Sequence, residues 1–139
     1  MTTETGLIAR WLYATLTGDA TLAALVPGGW HRWQGGRGAA YPLGVYRFQG
    51  GSDLAAIGAA RRVWVEAVYT VYAVGAGAGA DVDDAAARID ALLLGKQATV
   101  TGGLIVSCTR DGPIELAPIE NGIQREISGG TYRILAQRS

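Results

Sequence analysis

The sequence predicts an α+β fold, a mostly antiparallel β-sheet with two main helices packed on one side. Three observations carry this. Apolar residues recur at helical spacing over Leu7–Leu16 and again over Val82–Leu93. Arg61 to Val74 alternates as a strand does. After Gln97 the chain breaks into extended runs separated by glycine-containing turn signals.

The first helix carries Leu7, Ile8, Trp11, Leu12 and Leu16 on one stripe. Thr2 or Thr3 suits its N-cap, Glu4 suits the positive end of its dipole, and Gly18 stops it. Asp19 then caps a short helix with Leu22, Leu25 and Val26, closed by Pro27-Gly28-Gly29. Trp30–Trp33 and Pro42–Gln49 read as strands, with Pro42 tolerated only at a strand's beginning and Gly50–Asp53 breaking the second. Residues 54–60, rich in Ala and Gly, are expected to form a loop.

The long strand 61–74 has Val63, Val65, Ala67, Tyr69, Val71 and Ala73 on one face, and Trp64, Glu66, Val68, Thr70, Tyr72 and Val74 on the other. Its extended length is roughly 46 Å at about 3.3 Å per residue. Both faces are apolar enough to need cover, one from the helices and one from a second sheet or a neighbouring subunit. Asp81–Leu94 is the second main helix, with Val82, Ala85, Ala86, Ile89, Leu92 and Leu93 inward and Gly95 at its C-terminal cap. Asp84 and Arg88 are spaced to pair on its outer face. Further strands are expected at 98–101, 104–109, 114–119, 123–127 and 131–136, with turns at Arg110–Pro113, Asn121-Gly122 and Gly129-Gly130.

Composition bounds the function. The 139 residues fit one domain, with an apolar share of 49% that supplies a core. No apolar run spans a membrane, and the first residues do not read as a signal peptide, so synthesis in a cytoplasm is expected. Twelve basic side chains, eleven of them Arg, balance twelve acidic ones, which argues against a sequence-specific nucleic-acid binder.

Gly75-Ala76-Gly77-Ala78-Gly79-Ala80 fits the loose dinucleotide-binding pattern before a helix. Asp81, Asp83 and Asp84 at that helix start would repel phosphate, so the segment reads as a linker. The same aspartates do not continue into a calcium loop, and His31 and Cys108 are the only imidazole and thiol ligands in the chain. Cys108 lies among apolar strand residues, as a buried thiol does, and no nucleophile elbow surrounds any serine. The reading is of a non-enzyme with no metal and no cofactor.

Aromatic and arginine residues gather in the first half. Trp30, Arg32, Trp33, Tyr41 and Arg47, with Arg61, Arg62 and Trp64, are candidates for a subunit or partner interface, because Trp, Tyr and Arg anchor protein contacts. Core packing is the competing reading for each of them.

The layout resembles the tail-completion, or tail-terminator, proteins of long-tailed bacteriophages. The resemblance rests on the opening helix through Leu16-Thr17-Gly18-Asp19-Ala20-Thr21-Leu22-Ala23-Ala24-Leu25 and on Tyr41-Pro42-Leu43-Gly44-Val45-Tyr46. It continues through Val63–Val74, Asp81–Leu94 and Gly130-Thr131-Tyr132-Arg133-Ile134. It implies a homohexameric ring at the head-proximal end of the virion tail, assembled in the bacterial host cytoplasm. Such a ring caps the tail-tube protein, ends its polymerisation and presents a surface to the head–tail connector protein. A different head–tail adaptor or tail-tube subunit is the nearest alternative, and a ligand-binding domain using Gly75–Gly79 the more distant one.

Overall fold

The computed structural model describes residues 3–32, 40–55, 62–77 and 81–138. Its elements are α1 (Glu4–Thr17), α2 (Ala20–Leu25), β1 (Trp30–His31), β2 (Leu43–Ala55), β3 (Arg62–Val74) and α3 (Asp83–Leu93). They continue with β4 (Ala98–Val100), β5 (Gly103–Leu116), β6 (Ile119–Glu120), β7 (Ile123–Gln124) and β8 (Ile127–Arg138). Six strands form one sheet in the order β1-β2-β3-β8-β5-β4, while β6 and β7 make a separate hairpin. Every pairing is antiparallel except β1 with β2. The α+β class with a mostly antiparallel sheet is therefore borne out.

The helices pack on one face because their apolar stripes match that face's alternation. Ile8, Leu12, Leu16, Ile89 and Leu93 join Ala67, Tyr69, Val71, Tyr132 and Ile134 in one core. Burying each large aliphatic side chain contributes about 1.5–3 kcal/mol. The caps expected of the first two helices form. Thr3 Oγ1 accepts from Gly6 N–H at 3.0 Å, and Asp19 Oδ2 accepts from Leu22 N–H at 2.9 Å. At α3 the N-cap is Val82, without a side-chain bond, and Asp81 accepts from the Asp83 N–H.

Several expected breaks are absent. The Gly50–Asp53 stretch does not end a strand: β2 runs through it to Ala55, pairing with β3 beyond an irregularity between Phe48 and Gly50. Arg110–Pro113 is likewise no turn, since β5 continues to Leu116 with a register shift between Arg110 and Gly112. Nor do Gly129 and Gly130 divide the last strand, which is continuous over Ile127–Arg138. In each case a long neighbour supplies hydrogen bonds along the whole segment, and the loop-favouring residues are absorbed as bulges or close contacts. The Asn121-Gly122 turn does form, with both residues at positive φ, 53° and 76°. The strand expected at Trp30–Trp33 comprises Trp30 and His31, and Trp33 lies outside the described residues. Arg88 does not pair with Asp84; it reaches Asp19 instead.

Among the described residues, the two faces of the long β3 strand are covered unequally. Val65, Ala67, Tyr69, Val71 and Ala73 are buried beneath the helices, whereas Trp64, Glu66, Val68, Thr70 and Tyr72 on the other face remain half-buried.

Candidate functional site

Among the described residues, those singled out in the sequence do not converge on one patch. Trp30 is a core residue at 9% exposure, and its ring lies so close to Gly44 that a Cβ there would approach it to 2.5 Å. Arg32 is exposed, beside the phenols of Tyr46 and Tyr69. Tyr41 is half-buried, with the Arg125 guanidinium 4.3 Å above its ring, and Arg125 also donates to the Ala76 carbonyl. Arg47 is exposed on the uncovered face of β2. Trp64 sits toward the other end of the sheet, half-buried, donating from Nε1 to Gln137 Oε1 at 3.2 Å. Arg62 is the first residue of β3; Trp33 and Arg61 lie outside the described residues.

Two features appear that the sequence did not announce. On the uncovered face Arg133 bridges two strands, donating to Glu66 at 2.6 Å and to Asp111 at 2.9 Å. Both partners hold its guanidinium firmly protonated, Asp111 more than Glu66. The second feature is an apolar rim. Among the described residues the exposed large hydrophobic ones are Tyr13, Phe48, Leu54, Leu94, Leu104, Leu116, Ile119 and Ile123. Phe48 and Leu54 belong to β2, and Tyr13 packs against Tyr46 of that strand. Leu104 and Leu116 belong to β5, Ile119 and Ile123 to the hairpin that follows it, and Leu94 precedes Gly95, which bonds β5 at Cys108. None of these is on the central strands β3 and β8. Alternation alone could have marked Phe48 and Leu116 as apolar; only the strand order reveals that they lie on opposite flanks.

No known protein family matches the chain, and no curated protein does.

Other chemistry can be weighed against the same geometry. A cleft of about 560 Å³ at the start of α3 is lined by Asp81, Asp83, Glu115 and Glu126, among others. Those carboxylates oppose the binding of phosphate beside the Gly75–Gly79 segment, of which Gly79 lies outside the described residues. Cys108 is fully buried on β5, and burial, with Asp90 nearby, pushes its thiol up to about 12. Such a thiol is a core hydrophobe and not a nucleophile at neutral pH. Tyr132 donates to Asp90 Oδ1 at 2.9 Å, which together with its burial holds the phenol protonated. Among the described residues no group of three or more His, Cys, Asp or Glu side chains is arranged to hold a metal ion, and no helix is long and apolar enough to cross a membrane.

Proposed function

We propose that this chain is a structural virion subunit that assembles into a ring and caps a phage tail tube, ending its polymerisation and forming the surface that meets the head connector. The observation that carries the assembly reading is the apolar rim. Exposed large hydrophobic residues fall on the two lateral flanks of the sheet, and the flanks differ: Tyr13, Phe48 and Leu54 on the β2 side, Leu94, Leu104, Leu116, Ile119 and Ile123 on the β5 side. Contiguous apolar surface marks sites of protein contact, and Leu116, Ile119 and Ile123 follow one another closely along the chain at the end of β5. Two unlike flanks suit a heterologous contact, in which one flank of a copy meets the other flank of the next, and repetition of that contact closes a ring.

The tail location, the tube and connector partners and the hexameric count come from the resemblance to tail-terminator proteins. Electron microscopy of virions made without this chain tests the location. Overlong tubes without attached heads are the expected phenotype. Absence of tubes would assign the chain to the tube itself, and normal virions would contradict the proposal.

A further inference from the structure

We infer that the Asn121-Gly122 turn is a site of spontaneous deamidation, where the chain converts its sole asparagine to aspartate and isoaspartate, and that the isoaspartyl product opens the β6–β7 hairpin. Nothing in this rests on the ring reading above.

The reaction needs a carboxamide and, one residue on, a backbone nitrogen able to reach it. The Gly122 nitrogen attacks Asn121 Cγ; a C–N bond forms and the Cγ–Nδ2 bond breaks. Nδ2 leaves as ammonia, taking up through solvent the proton that the Gly122 nitrogen gives up. Water then opens the cyclic imide. Cleavage at Cγ leaves aspartate on a normal backbone. Cleavage at the Asn121 main-chain carbonyl carbon leaves isoaspartate, with the chain routed through Cβ and Cγ. Nothing is oxidised or reduced, and solvent water is the co-reactant. Glycine in the second position leaves the nitrogen unshielded, because it has no side chain.

The turn leaves that path open. Asn121 and Gly122 are both exposed. Among the described residues, the Asn121 carboxamide and the Gly122 N–H meet no hydrogen-bond partner. Nothing lies within 4 Å of where a Gly122 Cβ would stand.

The closed turn fixes Asn121 at φ 53° and Gly122 at φ 76°, so the swing of the Gly122 nitrogen toward Cγ requires the hairpin to open. Little holds it shut. β6 and β7 have two residues each, pairing Ile119 with Gln124 and Glu120 with Ile123. A further bond runs from the Arg125 N–H to the Pro118 carbonyl at 2.8 Å. The hairpin is separate from the six-stranded sheet, and Ile119 and Ile123 are exposed, so no apolar burial anchors its tip. Two-stranded hairpins are marginal in water, and segments of this kind open at small cost.

Asp111-Gly112 shows what closes the path. The same imide could form there with loss of water. Asp111 Oδ2, however, accepts from Arg133 Nη2 at 2.9 Å, and Gly112 pairs with Thr131 in the long β5–β8 ladder. The gripped carboxylate and the paired strand hold that dipeptide fixed.

Isoaspartate adds a methylene to the main chain inside a two-residue turn. The pairing of Glu120 with Ile123 depends on that turn's length and is lost. Aspartate keeps the backbone length and keeps the hairpin.

Ageing of the full chain tests the site. It is incubated at physiological temperature and mildly alkaline pH beside a synthetic peptide of residues 118–125, then mapped by mass spectrometry with isoaspartate-specific methylation. Asn121 should exchange NH2 for OH at a rate within about tenfold of the peptide's, equivalent to about 1.4 kcal/mol of opening, while Asp111 stays unchanged. Asn121 intact after the peptide has converted, or changing no faster than Asp111, overturns the site. Amide exchange at Arg125 reads the hairpin. The isoaspartyl fraction, separated chromatographically, should lose protection there, and Asn121→Asp should keep it. Protection kept in both overturns the opening; protection lost in both assigns it to the added charge and overturns it equally.

Discussion

The Arg88 guanidinium grips the Asp19 carboxylate with two hydrogen bonds, from Nε to Oδ2 at 2.8 Å and from Nη2 to Oδ1 at 2.6 Å. The same Oδ2 accepts the Leu22 N–H at 2.9 Å, so one side chain both caps α2 and ties it to α3. Those bonds, Arg88's foremost, hold the Asp19 carboxyl at about 2, below the ordinary 3.8. A depressed carboxylate contributes stability that is complete above the unfolded value and is lost as pH falls through the folded one. Thermal midpoints of the native chain and of Asp19→Asn should thus differ by a constant amount above pH 3.8 and converge as pH falls toward about 2. A gap unchanged down to that pH would contradict the clamp.

Leu12 lies on the inner stripe of α1 at 0% exposure. Leu12→Ala should cost about 2–5 kcal/mol, from lost transfer energy and the cavity left behind. Urea unfolding followed by circular dichroism checks this; a loss below about 1 kcal/mol would mean the helix layer packs loosely.

Gly129 lies in β8 where a Cβ would come within 2.1 Å of the Val71 carbonyl oxygen, whereas a Cβ at Gly112 in β5 meets nothing within 4 Å. Gly129→Ala should destabilise by about 1–3 kcal/mol or more, because neighbouring backbone must shift. Gly112→Ala should stay within about 0.5 kcal/mol. Equal effects in denaturant titrations would refute the close approach.

The buried Cys108 thiol, pushed up to about 12, should resist thiol reagents at neutral pH in the native chain. Denaturant should release one reactive thiol per chain. Prompt labelling of the native protein would contradict its placement in the core.

The long periodic elements were legible in the sequence. Leu7–Leu16 and Val65–Ala73 announce α1 and β3 because one face of each is uniformly apolar. The glycine signals misled wherever a long neighbour held the backbone extended, as at Gly50-Gly51 opposite Val68 and Ala67 and at Gly129-Gly130 opposite Tyr72 and Val71. Local turn chemistry yields there to non-local pairing, which no short window contains. Arg88 misled in a similar way: Asp84 is one turn away, but Asp19 offers a carboxylate fixed in place by the α2 cap. The aromatic–Arg group was legible only as composition. The fold sends Trp30 to the core, Tyr41 beneath Arg125 and Trp64 to the far end of the sheet. The apolar flanks depend on strand order, which places Phe48 and Leu116 on opposite sides.

The ring is the central claim, and the mass and shape of the purified chain test it most directly. Size-exclusion chromatography with light scattering, followed by negative-stain imaging, should show a closed annulus whose mass is a whole multiple of 14.5 kDa. A monomer that persists at high concentration, with no annuli in the images, would contradict the account.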